Sequence, residues 1–106
     1  MCPEGKGQAW HRDGVDAEYY LGDKRYMLKL PDELSFYDGS MIACGAGTAF
    51  SAISKLGLSA SSTLVLFGLG PLGLACLKIA KGYGAEVIGV EVNPARIEMA
   101  KKIPAK

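Results

Sequence analysis

Three glycines and one acid carry the first chemical signal in this chain. Gly68-Leu69-Gly70-Pro71-Leu72-Gly73 has the spacing GxGxxG, and Glu91 follows Gly73 by eighteen positions. If this turn faces a diphosphate, each glycine has its own use. Gly68 permits a tight turn, Gly70 lets the ligand approach the backbone, and Gly73 lets a helix pack closely on a strand. The free N–H groups in the first turn of that helix, together with its dipole, stabilise anionic oxygens. Pro71 has no N–H, so the donors there are Leu72 and Gly73. Glu91 stands where an acid accepts hydrogen bonds from the adenosine ribose hydroxyls, and its charge would repel a 2′-phosphate. The pattern therefore predicts NAD(H) over NADP(H). Arg96, five positions on, pulls the other way, because it could pair with such a phosphate or stack on adenine. In the alternative reading, Glu91 is a solvated acid at a strand end.

A glycine hexapeptide means little in a chain with 14 glycines, so its surroundings decide. Thr63–Phe67 is a continuous apolar run, which predicts a strand buried on both faces of a parallel sheet. Pro71–Tyr83 reads as a helix with proline in its first turn and Gly82 and Gly84 at its end. Its stripe Leu72, Cys76, Ile79, Tyr83 is the expected core face. Glu86–Val92 reads as a second strand. Asn93 then caps a further helix that has Pro94 at its first position. Strand, helix, strand, helix is a βαβ unit with one extra helix, and predicts an α/β fold with parallel strands.

Upstream, Ala17–Leu21 and Arg25–Leu30 read as two short strands around a Gly22-Asp23-Lys24 turn. Pro31, Asp32 and Glu33 close that region. Ser35 is an N-cap candidate for a short helix from Phe36, interrupted at Gly39. Ala46–Leu56 reads as a helix with Ala49, Phe50, Ile53 and Leu56 on its apolar face, and Gly57 stops it.

The three cysteines, Cys2, Cys44 and Cys76, are far apart and form no CxxC pair, so neither a disulfide framework nor a metal site follows from them alone. Taken singly, Cys44 is either a ligand or a small buried hydrophobe. Cys76 belongs to an apolar helix face. His11, beside Trp10, could be a ligand or a proton relay, or simply a loop histidine. The formal net charge is +1, with 22% charged and 49% hydrophobic residues. That balance describes an ordinary globular chain and points to neither nucleic acid nor an anionic membrane. The weakly charged stretch Ile42–Leu77 is broken by Lys55, serines and glycines and does not read as a membrane span. The opening residues lack the basic-then-apolar order of a signal peptide, so the expected location is cytoplasmic. S-adenosylmethionine-dependent methyltransferases use a similar turn and acid, and GVEVNPARIEMAKK would suit one. Those proteins place an acidic residue near the end of the first strand, where this chain has Leu66-Phe67.

LPDELSFYDGSMIACGAGTAFSAISKLGL followed by LVLFGLGPLGL resembles the medium-chain, zinc-dependent alcohol dehydrogenase family. DGVDAEYYLGDKRYMLKLPDELSF is similar to a segment of that family too, with Val15-Asp16 in place of its usual Gly-Phe. The likeness runs from about Gly14 to Lys102. It implies a partial Rossmann fold (βαβα) over residues 44–106, preceded over residues 1–43 by the tail of a GroES-like all-β catalytic domain. It further implies that Cys44 is the last of three protein ligands to a catalytic zinc, that Thr48 lies near the nicotinamide, and that Cys2 belongs to a separate structural zinc lobe. Gly68, Gly70, Leu72, Gly73, Glu91 and Arg96 fall in the NAD(H) site. The substrate implied is a small alcohol or ketone, and full-length relatives are implied to be homo-oligomers. Zinc-free quinone reductases of the same superfamily are disfavoured by Cys44. The family's other zinc ligands have no counterpart in this chain, so the expectation is a fragment that is inactive by itself and marginally stable.

Overall fold

The computed structural model describes residues 5–7 and 9–104. Contacts divide the chain into two units, Met1–Leu30 and Pro31–Lys106. In the first unit the two expected strands over 17–21 and 25–30 do not form. A 3-10 turn at Lys24–Tyr26 stands between those segments and takes the start of the second. The Asp23 carboxylate accepts the Arg25 amide at 3.0 Å, and Tyr26 N–H donates to the Asp23 carbonyl at 2.9 Å. This local capture competes with ladder pairing. Tyr19, Leu21 and Leu28 are almost fully exposed. Among the described residues of this unit, the β-prone runs that suggested strands make no paired sheet, and an isolated pair of strands is marginal without a packing surface.

The second unit begins with a helical run in three parts: α1 (Phe36–Met41), a π-helical turn (Ile42–Ala46) and α2 (Gly47–Lys55). Ser35 caps it with a reciprocal box. Its hydroxyl accepts the Asp38 amide at 3.2 Å, while the Asp38 carboxylate accepts the Ser35 amide at 3.0 Å. Gly39 does not interrupt α1, and its N–H donates to the Ser35 carbonyl at 2.9 Å. Glycine inside a helix costs about 1 kcal/mol, and a good cap contributes a similar amount. The π turn was not expected. Gly47 N–H reaches back to the carbonyls of both Cys44 and Ile42, and a β-carbon on Gly47 would lie 2.9 Å from Ile42 O. Gly47 thus makes the widened turn sterically possible, whereas a β-carbon on Gly45 would meet only Met41 at an ordinary contact distance. Gly57, at φ 61°, ends the run as expected.

After it come β1 (Thr63–Phe67), α3 (Pro71–Gly82), β2 (Glu86–Val90) and α4 (Pro94–Lys101). β1 and β2 pair in parallel, in register from Thr63 opposite Glu86 to Phe67 opposite Val90. The core consists of Ala49, Ile53, Cys76 and Ala80, with Leu58, Leu64, Leu66, Ile79 and Val87 packed around it. Small residues at 49 and 80 let α2 approach α3 closely. Full burial of Ile53 is worth about 1.5–3 kcal/mol, and the alanines contribute less, so this core is modest.

Three expectations about burial need correction. β1 is not covered on both faces: Leu64 and Leu66 are half-buried, while Thr63, Val65 and Phe67 are exposed. Among the described residues, helices pack on one side of the sheet only. On α3 the buried face is Cys76, Leu77 and Ala80, whereas Leu72 and Tyr83 are exposed. The helix is thus rotated by about one residue from the stripe that spacing suggested. On α2, Ala49 and Ile53 are buried but Phe50 and Leu56 are exposed. Finally, β2 stops two residues earlier than expected because Glu91 captures the backbone beyond it.

Candidate functional site

The turn leaving β1 is attached to the last rung of the sheet. Gly68 N–H donates to the Val90 carbonyl at 2.8 Å, and Gly68 adopts φ 87°, a region that side chains disfavour. A β-carbon on Gly73 would overlap the Gly68 carbonyl oxygen. Both glycines are therefore required by the chain's own geometry.

Gly70 is different. It has φ −69° and ψ −172°, which any residue can adopt, and beyond its chain neighbours no atom of the described residues lies within 4 Å of where its β-carbon would be. Nothing among the described residues calls for glycine here. The bare position faces open space beside a shallow groove of about 310 Å³, lined by Phe67, Gly68, Gly70, Pro71, Leu72 and Gly73 among others. The ladder of α3 starts where Leu74 N–H donates to the Gly70 carbonyl at 2.8 Å. The amides of Leu72 and Gly73 precede it and are among those a helix cannot satisfy internally. A helix start aimed past a bare glycine is an arrangement that could hold an anionic group such as a diphosphate.

Glu91, the first residue past β2, has a side chain only 5% exposed. Its Oε2 accepts the Leu69 amide at 2.8 Å, and its Oε1 accepts the amides of Val92 at 2.8 Å and Asn93 at 3.0 Å. These bonds favour the ionised form. The amides of Asn93, Leu69 and Val92, with a smaller contribution from Arg96, hold the carboxyl down to about 2. Arg96 Nη1 lies 3.6 Å from Oε2, and its side chain is half-exposed. Those captured amides also explain why β2 ends at Val90. Asn93 then starts α4, its Oδ1 accepting the amides of Ala95 at 2.9 Å and Arg96 at 3.4 Å.

Leu69 and Gly89 were not singled out from sequence. Leu69 is 4% exposed, and a β-carbon on Gly89 would lie 2.9 Å from Leu69 Cδ1. Gly89 is bare so that Leu69 can lie over β2. A glycine inside a strand run was the available signal, since it marks close approach by another group.

Gly68, Gly70, Leu72, Gly73, Glu91 and Arg96 are thus brought together at the carboxyl ends of the parallel strands. Cys44 and Thr48 lie elsewhere in the same unit. Cys44 is on the π turn and Thr48 is in the first turn of α2; both are exposed, and both elements pack against α3. A π turn in a helix often accompanies a functional position. Among the described residues no three His, Cys, Asp or Glu side chains are grouped to hold a metal, and Cys2 lies outside those residues. Cys76 is buried, and burial pushes its thiol above the usual range, as befits a core residue. His11 accepts the Gly7 amide on Nδ1 at 3.2 Å within a local turn.

No family model matches the chain. Individual proteins do. It is 44% identical over 103 residues to the uncharacterized zinc-type alcohol dehydrogenase-like protein YphC of Escherichia coli K12, covering 93% of this chain and 29% of that protein. It is 30% identical over 105 residues to an alcohol dehydrogenase of Geobacillus stearothermophilus, covering 99% of this chain and 31% of that one. It is 33% identical over 94 residues to a probable D-xylulose reductase A of Aspergillus fumigatus, covering 88% and 26% respectively. The chain therefore spans about a third or less of the length of these relatives. Over that span, with parallel strands connected through a glycine turn and α3, it belongs to the medium-chain, zinc-type alcohol dehydrogenase family.

Proposed function

We propose that this chain supplies the cofactor diphosphate site of an NAD(H)-dependent dehydrogenase that interconverts small alcohols or polyols with their carbonyl forms. The observation that supports this best is Gly70, which is bare where the fold does not require it and stands beside the first-turn amides of Leu72 and Gly73. Those amides would bind diphosphate oxygens. Glu91 would receive a ribose hydroxyl at the Oε2 direction that Arg96 faces from 3.6 Å, since three N–H groups take the other lone-pair directions of its carboxylate. Arg96, partnered by Glu91, would lie along the adenosine side. Thr48 would stand near the nicotinamide.

Cys44 suits a zinc ligand: its sulfur is exposed on a widened turn, and thiolate binds this borderline-soft ion well. When bound, zinc would act as a Lewis acid on the substrate oxygen. Cys2 would belong to a second, structural zinc. In the same proposal, residues 1–43 are the tail of a GroES-like catalytic domain and residues 44–106 the first half of the nucleotide-binding domain. The longer protein would be a cytoplasmic homo-oligomer.

Fluorescence titration of this chain with NADH and NADPH tests the cofactor assignment. NADH is expected to bind roughly tenfold tighter or better, because an ionised Glu91 opposes a 2′-phosphate. NADPH binding as tightly as NADH would overturn it. S-adenosylmethionine in the same titration is expected to show no binding.

A further inference from the structure

We infer that Glu91 is a positioning residue for the glycine turn, bracing it for the diphosphate independently of any contact with ribose. This rests on the assignment of the turn as a nucleotide site. A carboxylate that served only as a ribose hook would present free oxygens to the cleft. Here the side chain is 5% exposed. One oxygen holds the Leu69 amide at 2.8 Å, and the other holds Val92 and Asn93 at 2.8 and 3.0 Å. The carboxylate therefore ties the turn after β1 to the turn after β2.

Two further contacts act on the same short stretch. Gly68 N–H is fixed to Val90 O at 2.8 Å, and the Leu69 side chain is buried over Gly89. With three glycines in six residues, the turn would otherwise sample many conformations and lose that freedom on binding. Pinning it beforehand reduces the ordering that binding requires. Because the Leu69 amide is spent on Glu91, it is no donor to phosphate. Its role is to hold the neighbouring Gly70 and the helix start in place.

The test compares two probes on the wild-type chain, Glu91→Ala and Glu91→Gln: NADH, and 2′,3′-dideoxyadenosine diphosphate, which has the diphosphate but neither ribose hydroxyl. Wild type is expected to bind both. Glu91→Ala is expected to lose roughly tenfold or more in affinity for both probes, as suits the loss of charge-assisted hydrogen bonds. Glu91→Gln, which keeps one acceptor and the side-chain shape, is expected to lose less for both. It also carries the comparison if Glu91→Ala does not fold. Amide exchange at Leu69 should be slow in wild type and accelerate in the same order. If wild type binds both probes and the variants lose affinity for NADH alone, Glu91 is only a ribose contact and the inference is overturned. If wild type binds neither probe, the cofactor assignment itself fails and takes this inference with it.

Discussion

Gly70 and Gly73 are interchangeable letters in a motif but opposites in this structure. A methyl group on Gly73 would meet the Gly68 carbonyl, which is backbone and cannot move aside without opening the turn. Gly73→Ala is expected to destabilise the chain by about 1–3 kcal/mol, as overpacking does. A methyl group on Gly70 meets nothing and needs no unusual dihedral angle. Gly70→Ala is expected to leave stability within about 0.5 kcal/mol of wild type while weakening NADH binding severalfold. Denaturant melts paired with NADH titrations check both, and a Gly70→Ala chain that binds NADH normally would mean the cradle is not used. Glu91 adds a pH signature. Its folded-state carboxyl sits near 2, below the ordinary 4.5, so its contribution to stability is fully present above about pH 4.5. That contribution is lost as the pH falls toward 2, because the unfolded chain binds the proton more readily. Melting curves of wild type and Glu91→Gln are expected to converge across that window. A gap that stays constant would show that the ionised form is not what the fold favours.

Local rules predicted element ends best where a side chain bonds nearby backbone or a glycine takes a positive φ. Asn93 and Pro94 announced α4, Ser35 announced α1, and Gly57 announced the end of α2, and each does so in the fold. α4 has no buried residue, and apart from its cap an ion pair from Lys101 to Glu98 at 2.8 Å supports it. Such a pair is worth about 0.2–0.5 kcal/mol. The cap is worth more, so Asn93→Ala is expected to cost about 1 kcal/mol and to speed amide exchange at Ala95 and Arg96. Unchanged exchange there would place the stability of α4 elsewhere. The same local chemistry explains the miss near the start of the chain. Asp23 closes a 3-10 turn on Arg25 and Tyr26, and propensity for strand in the flanking residues could not reveal that no partner strand receives them among the described residues.

Taken together, the described residues leave one face of the β1–β2 pair bare, with Val65, Phe67, Ile88 and Val90 exposed, Phe67 by 80%. The helices on the other face close only a small core around Ala49, Ile53, Cys76 and Ala80. Exposed contiguous apolar side chains and open strand edges favour association. The isolated chain is therefore expected to self-associate with rising concentration and to melt broadly. Sedimentation velocity and calorimetry check this, and a monodisperse monomer with a sharp transition would contradict it.

The linear order of residues determined the two strand segments, the glycine turn and the place of the acid that follows it, because each depends on contacts within a few residues or on a backbone conformation that one residue type dictates. It also placed Cys44 in an unusual glycine setting without revealing the π turn, which depends on how carbonyls align over five residues. Burial was a different matter. Which face of β1 is covered and how α3 is rotated depend on which elements pack against them, and spacing along one chain does not encode that. The same holds for Glu91. Only folding brings its carboxylate within 2.8 Å of an amide twenty-two residues away. A ribose contact could be guessed from spacing, but the brace across two turns is a product of the tertiary structure.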